Sequence, residues 1–482
     1  MEEEGGHSVV NVLENPATKW CSVTLSDVID RGKRLDASVF DVEAKQAREK
    51  ILHNKYGYSN LGGNGGLIKK AYYPGRFKRI YCKKRFGIGF YLPSQMTDIY
   101  PRAEKYISRL TKCDIKELKL KEKTLLLTRS GTIGTVSLVS KTIEGFVFSD
   151  DVIRVIFDKE YDLGYVYTFL RSNIGQLVLT TNGYGSVITH IEPEHLASVP
   201  IPNAPEEIKK NIHDLIMRSF ELRDESNELL DKAEQILVDE LKLPPIEEML
   251  TAEDTVETFN VKLSELNKRA DASYHVPVVK AIVKHLKEHA GELTTIGDER
   301  VSKAVILPGR FKRVYVEEGY GRVLFGGKQI YELDPSAKKY LSIAKHSKRM
   351  NEELQISENT TLITRSGTIG KVVLVPRHWK SWIASEHIIR VVPASREIAG
   401  YISVFLSSEY GYHLITRYTY GSVVDEIDDN HVRDIAFPLL KDKTKQAQIN
   451  ALALEANDKR YQAYCLEQEA LTIMNKEVLC IE

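Results

Sequence analysis

"TRSGTIG" stands at Thr128–Gly134 and again, letter for letter, at Thr364–Gly370. The segment holds no metal ligand and no nucleophile beside a base, so its recurrence is the informative fact. Other segments recur at nearly the same shift. "RLDAS" (Arg34–Ser38) is answered by "RADAS" (Arg269–Ser273), and "PGRFKRIY" (Pro74–Tyr81) by "PGRFKRVY" (Pro308–Tyr315). "SDDVIRVIF" (Ser149–Phe157) is answered by "SEHIIRVVP" (Ser385–Pro393), and "YGSV" occurs at Tyr184–Val187 and Tyr420–Val423. Landmarks in one order at one period mark a tandem duplication of the whole chain.

Both halves end alike. From Glu206 to Leu241 the chain reads as one long helix, with Pro205 and the acidic Glu206–Glu207 suited to its first turn and Pro244–Pro245 stopping it. Apolar and small residues recur by fours and threes: Ile208, Ile212, Leu215, Ser219, Leu222, Ser226, Leu229, Ala233 and Ile236. Ile449, Leu452, Ala456, Lys459, Ala463, Leu466, Ala470 and Ile473 repeat that seam from Ile212 onward. A sustained seam wants a partner helix, and small residues at its middle permit close approach, so the two helices are expected to pair.

The segments ahead of each helix have a different rhythm. "TLLLTRSG", "TVSLVS", "FVFSDDVIRVIF" and their counterparts "TLITRSG", "KVVLVP", "WIASEHIIRVV" are short β-branched runs broken by Gly, Ser and charged turns. "YVYTFLRSNIGQLVLT" and "YISVFLSSEYGYHLIT" read as the helices that follow them. The fold class is therefore α+β, with domains at 1–205 and 260–440, long helices at 206–242 and 441–482, and a linker at 243–259.

A Thr-Arg-Ser-Gly turn between strands offers backbone N–H groups, hydroxyls and a guanidinium, which suit a phosphate or a guanine edge. Equally, it reads as a plain hairpin turn with one exposed arginine. Arg129, Ser130, Thr132, Arg365, Ser366 and Thr368 are the candidate contacts there, with Tyr184, Ser186, Tyr420 and Ser422 on the second loop. The basic run says more. From Lys69 to Thr97 there is no Asp or Glu, while Lys69, Lys70, Arg76, Lys78, Arg79, Lys83, Lys84 and Arg85 interleave with Tyr72, Tyr73, Phe77, Tyr81, Phe86, Phe90 and Tyr91. A solvated charged face usually mixes signs, so this stretch reads as a footprint for nucleic acid. Arg310, Lys312 and Arg313 persist in the second copy, but Glu317–Glu318 replace Lys83–Lys84.

Composition sets the outer bounds. The chain has 482 residues, enough for two or more domains, and equal numbers (67) of basic and acidic side chains, so only local charge can point to a partner. Five scattered cysteines, none spaced as CxxC, argue against a disulfide framework or a zinc site and fit a reducing cytoplasm. The acidic amino terminus lacks the apolar core of a signal peptide, and no apolar run approaches the roughly 20 residues of a membrane span. Catalytic signals are poor. "FGIGF" (Phe86–Phe90) resembles a methyltransferase glycine loop, but no Asn-Pro-Pro-Tyr or Asp-Pro-Pro-Tyr accompanies it. "ELK" at Glu117–Lys119 fits the end of a nuclease motif, yet the triplet recurs inside the helix at Glu240–Lys242. No Walker loop, HExxH or GxSxG is present.

Taken together, the duplication, the helical spacers and the "TLLLTRSGTIG" and "TTLITRSGTIG" segments resemble the specificity subunit of Type I restriction-modification systems. That resemblance implies two tandem target-recognition domains, separated by two long helices that form an antiparallel coiled coil with pseudo-twofold internal symmetry. It implies no catalysis in this chain and no cofactor of its own. Double-stranded DNA is the expected partner, together with methyltransferase subunits using S-adenosylmethionine and a restriction subunit using ATP and magnesium. The family's frequent Gly-Asp ahead of the strand is replaced here by "KEK" and "SEN". "RLDAS" and "RADAS" also resemble segments of related systems that combine cutting with methylation. Two other readings stay open at this point: a self-contained nuclease or methyltransferase with degenerate motifs, and a coiled-coil scaffold that binds only protein.

Overall fold

The repeated strand segments build repeated sheets. The computed structural model describes residues 22–30, 33, 40–181, 190–249, 259–266, 269–335, 338–421 and 423–481. It divides into two units, Met1–Glu221 with Cys465–Glu482, and Leu222–Tyr464, whose borders fall inside the two long helices.

In the first unit a four-stranded antiparallel sheet runs in the order Ile68–Tyr72, Val152–Phe157, Leu125–Thr128, Val136–Leu138. The second unit repeats it with Ser302–Ile306, Ile388–Pro393, Thr361–Thr364 and Val372–Leu374. Even the irregularity is copied: the outer strand slips register between Ile68 and Lys70 in one unit and between Ser302 and Ala304 in the other. The central strands read "LLLT" and "TLIT" and are wholly buried, because both faces of this sheet are covered.

A smaller mixed sheet packs beside each large one. Strand Gly87–Tyr91 pairs antiparallel with Lys105–Ser108 and parallel with Val147–Phe148. Gly321–Phe325 does the same with Lys339–Ser342 and Ile383–Ala384, and a further strand, Tyr315–Val316, lengthens that sheet. The "FGIGF" glycines serve this packing. A Cβ on Gly87 would lie 2.5 Å from the Cys82 sulfur, and one on Gly89 would lie 3.0 Å from the Ala103 Cβ. The segment is a strand, so its likeness to a cofactor loop ends there.

One expectation is corrected in both copies alike. The stretch read as a single helix after the sheet is two helices, Glu160–Arg171 and Asn173–Thr180, matched by Arg396–Ser407 and Glu409–Thr416. The break is the serine between them. Ser172 is extended at φ −68°, ψ 157°, donates its hydroxyl to the Phe169 carbonyl and accepts the Gly175 N–H at 3.1 Å. Ser408 repeats this with Phe405 and Gly411. A serine cap of this kind competes with helix continuation and starts a new helix instead.

The long helices occupy Glu206–Leu241 and Lys443–Ile473. The first stops on Lys242, which takes the left-handed φ of +50° usually left to glycine, while the Leu243 N–H reaches the Val238 carbonyl. Asp442 starts the second by accepting the N–H groups of Thr444 and Lys445. Ile212, Ile216 and Phe220 share the first unit's core with Ala470 and Met474. Ala233, Leu237 and Leu241 share the second unit's core with Ile449 and Ala453. The start of one helix thus packs with the end of the other: the helices pair as the matched seams predict, in the antiparallel sense that the resemblance implies. Polar groups interrupt the seam: Glu225 meets Lys459 at 2.6 Å, and Arg460 donates to the Ser226 hydroxyl at 3.2 Å. Such partly buried polar contacts favour one register over its neighbours.

Candidate nucleic-acid interface

The repeated heptapeptide is a stapled turn. The Thr128 hydroxyl donates to the Thr132 carbonyl at 2.7 Å and accepts the Thr135 N–H at 3.2 Å. Thr364 does the same with Thr368 and Lys371, at 2.6 and 2.9 Å. Gly131, Gly134, Gly367 and Gly370 hold φ between +75° and +87°, a region that side chains disfavour. Ser130 and Ser366 each form an isolated β-bridge, to His190 and Glu426. Thr132 and Thr368 are the exposed side chains of the turn.

The arginine corrects the expectation of an exposed guanidinium. Arg129 is 6% exposed and Arg365 9%. Arg129 donates to Glu192 at 2.6 Å, lies 3.3 Å from Asp151 and covers the Tyr73 ring at 4.3 Å. Arg365 donates to Glu426 at 2.6 Å and to the Ile427 carbonyl at 3.1 Å. Each ties its turn to the segment ahead of a short helix, Pro193–Ala197 or Asp429–Arg433. The last arginine of PGRFKR is committed in the same way. Arg79 meets Asp150 at 2.6 Å and Arg313 meets Glu386 at 2.7 Å, so both bind the acid in "SDD" or "SEH". These repeated arginines and acids form one internal frame, built twice.

A pair that sequence reasoning passed over completes it. Arg154 and Arg390, in "VIRVI" and "IIRVV", are each 1% exposed, and no carboxylate pairs with either among the described residues. Arg154 donates to the carbonyls of Val152, Leu118, Phe148 and Ser149. Arg390 reaches those of Ile388, Leu354 and Ala384. Burial pushes both guanidinia down, to about 10. The signal was a charge at the middle of a β-branched run, present in both copies.

What remains on the surface is the rest of the basic stretch. Arg76, Lys78, Lys83, Lys84 and Arg85 are exposed, as are Arg310 and Lys312 in the second unit. Aromatic rings stand among them, with Tyr81 47% and Phe86 58% exposed. Lys105 sits 5.3 Å from the Tyr81 ring, and Arg85 lies 4.5 Å from that of Phe86. The second unit keeps the arrangement, with Tyr315 and Tyr320 exposed and Lys339 5.8 Å from Tyr315. Cations beside accessible ring faces suit phosphates and unstacked or groove-edge bases. Tyr420 is 40% exposed, and its backbone N–H and carbonyl pair with those of Glu426. Tyr184, Ser186 and Ser422 lie outside the described residues.

Among the described residues no three His, Cys, Asp or Glu side chains are placed to share a metal. No described helix is long and apolar enough to cross a membrane.

No family model and no curated protein matches the chain. Among solved structures it is similar to the S subunit of a Type-I restriction-modification system from M. genitalium, at 12% identity and a TM-score of 0.33. That match covers 89% of this chain and 96% of the other. It is also similar to the HsdS subunit from Thermoanaerobacter tengcongensis, at 11% identity and a TM-score of 0.27, covering 87% and 96%. A chain from a study of complex assembly and conformational transition in the type I R-M system gives 12% and 0.27, again covering 87% and 96%. Identities and TM-scores this low carry no functional argument.

Proposed function

We propose that this chain is a sequence-specific DNA-recognition subunit, which directs methyltransferase and restriction subunits to a bipartite, asymmetric DNA target. One observation carries the reading. The acid-free, aromatic-interleaved stretch of the first unit keeps Arg76, Lys78, Lys83, Lys84 and Arg85 on the surface, while one of its arginines, Arg79, is consumed by the frame. Clustered exposed cations without intervening acids attract phosphates. The duplicated frame supports two reading heads, and their divergent outer residues, Lys83–Lys84 against Glu317–Glu318, support two different half-sequences. In this reading the chain holds no cofactor and performs no chemistry. S-adenosylmethionine, ATP and magnesium belong to the partner subunits.

The test is binding of duplex DNA by the full chain across a salt series, followed by mapping of methylated bases in cells carrying the whole complex. Affinity should fall steeply with salt, and Lys83→Ala with Lys84→Ala should flatten that slope by about two, one for each lost phosphate contact. Methylation should then fall on one asymmetric sequence in two parts. Salt-independent binding, or methylation or cleavage by the purified chain alone, would overturn the reading.

A further inference from the structure

Arg76 and Arg310 hold the same place in the two copies of PGRFKR, yet their surroundings differ. Arg310 donates to one oxygen of Glu426 at 2.5 Å, and the other oxygen takes Arg365 at 2.6 Å. Glu426 therefore serves two arginines, one exposed and one buried. It is itself fixed, since its N–H and carbonyl pair with Tyr420 at 2.7 and 3.0 Å. In the first unit the matching residue is His190. There Arg129 draws on Glu192 and Asp151 instead, and no carboxylate among the described residues pairs with the exposed Arg76.

We propose that Glu426 is a built-in restraint that withholds Arg310 from DNA, so that of these two equivalent arginines Arg76 is the one that takes a DNA phosphate. The inference rests on the DNA-recognition reading above. Its physics is local. A guanidinium neutralised by a fixed carboxylate attracts a phosphate weakly, and drawing the phosphate close also sets it against that carboxylate. Arg76 carries no such penalty. The two reading heads then differ in grip as well as in the residues they present, and Glu426 sets the difference.

The experiment measures duplex-DNA affinity of the full chain over a salt series, with circular dichroism confirming each variant's fold. Arg76→Ala should weaken binding about tenfold at low salt and lower the salt slope by about one. Arg310→Ala should shift affinity less than twofold. Glu426→Gln keeps an acceptor for Arg365 and removes the charge, so it should tighten binding and steepen the slope by about one. Adding Arg310→Ala to Glu426→Gln should abolish that gain. Equal losses from Arg76→Ala and Arg310→Ala, or a gain from Glu426→Gln that survives without Arg310, would overturn the restraint. If Lys83→Ala with Lys84→Ala also leaves binding and its salt slope unchanged, the DNA reading itself has failed, and the restraint with it.

Discussion

The arginines held inside each unit and the exposed basic segment of each unit behave oppositely across the repeat. Inside each unit, Arg154 and Arg390 make nearly the same carbonyl contacts, and Arg79 and Arg313 find an acid at the same place. In the exposed basic segment, Lys83–Lys84 stand where Glu317–Glu318 stand in the second unit, and Arg310 is held by Glu426 where no carboxylate among the described residues pairs with Arg76. The buried arginines and their partners repeat between the copies, and under the proposed function the readout would sit where the exposed surroundings differ. TRSGTIG, the most conspicuous repeat, belongs to the frame.

The strongest way to break that contrast is at the buried arginines. Removing one leaves several buried carbonyls without a donor and opens a cavity, so Arg154→Ala and Arg390→Ala should each cost about 3–5 kcal/mol in urea unfolding. Similar losses sustain the comparison, and one tolerated substitution would mean that the two frames are not equivalent.

Acid should separate the units next. His378 donates its Nε2–H to the Leu333 carbonyl at 2.9 Å and stacks on Tyr464, and burial pushes it down from 6.5 to about 4. Its neutral form is favoured in the fold, so its contribution is complete above pH 6.5 and is lost as pH falls toward 4. That loss is about 3 kcal/mol. The matching residue of the first unit is Thr142, which does not titrate. Hydrogen exchange at pH 7 and pH 5 should show the second unit weakening around Trp379, and His378→Phe should remove most of that change. His213, likewise lowered by burial, supplies the first unit's own acid response where its Nδ1 accepts the Gly164 N–H. His213→Asn, which copies Asn450, should abolish it.

Smaller effects sharpen the reading of the heptapeptide. Arg129→Ala and Arg365→Ala should each cost about 2 kcal/mol of stability. The first takes the arginine from Glu192 and Asp151, and the second leaves the Ile427 carbonyl and one oxygen of Glu426 without their buried donor. Calorimetry of both variants decides whether these arginines hold the frame or only face a ligand, because a ligand-facing group would leave stability unchanged. Thr128→Val and Thr364→Val remove a hydroxyl that both donates and accepts, and should cost about 1 kcal/mol each.

Much of this was legible in the letters. The duplication, the α+β class and the start of the first long helix at Glu206 follow from period, β-branched runs and the Pro-Glu-Glu start, because these depend on neighbours in the chain. The helix pairing was legible for the same reason, since a seam repeated in two segments is a local pattern twice over. The fate of Arg129 was not. An arginine in a glycine-rich turn looks exposed, and only the fold brings Glu192 and Asp151 to it, from 63 and 22 residues away. The break at Ser172 was missed because apolar periodicity continues through it, while the cap depends on Gly175 letting the chain pass close to the Phe169 carbonyl. The restraint on Arg310 needed tertiary structure most of all. PGRFKR is identical in both copies, so no reading of the motif separates Arg76 from Arg310. The separation comes from residue 426, remote in sequence, because an ion pair depends on distance in space and the sequence records only order along the chain.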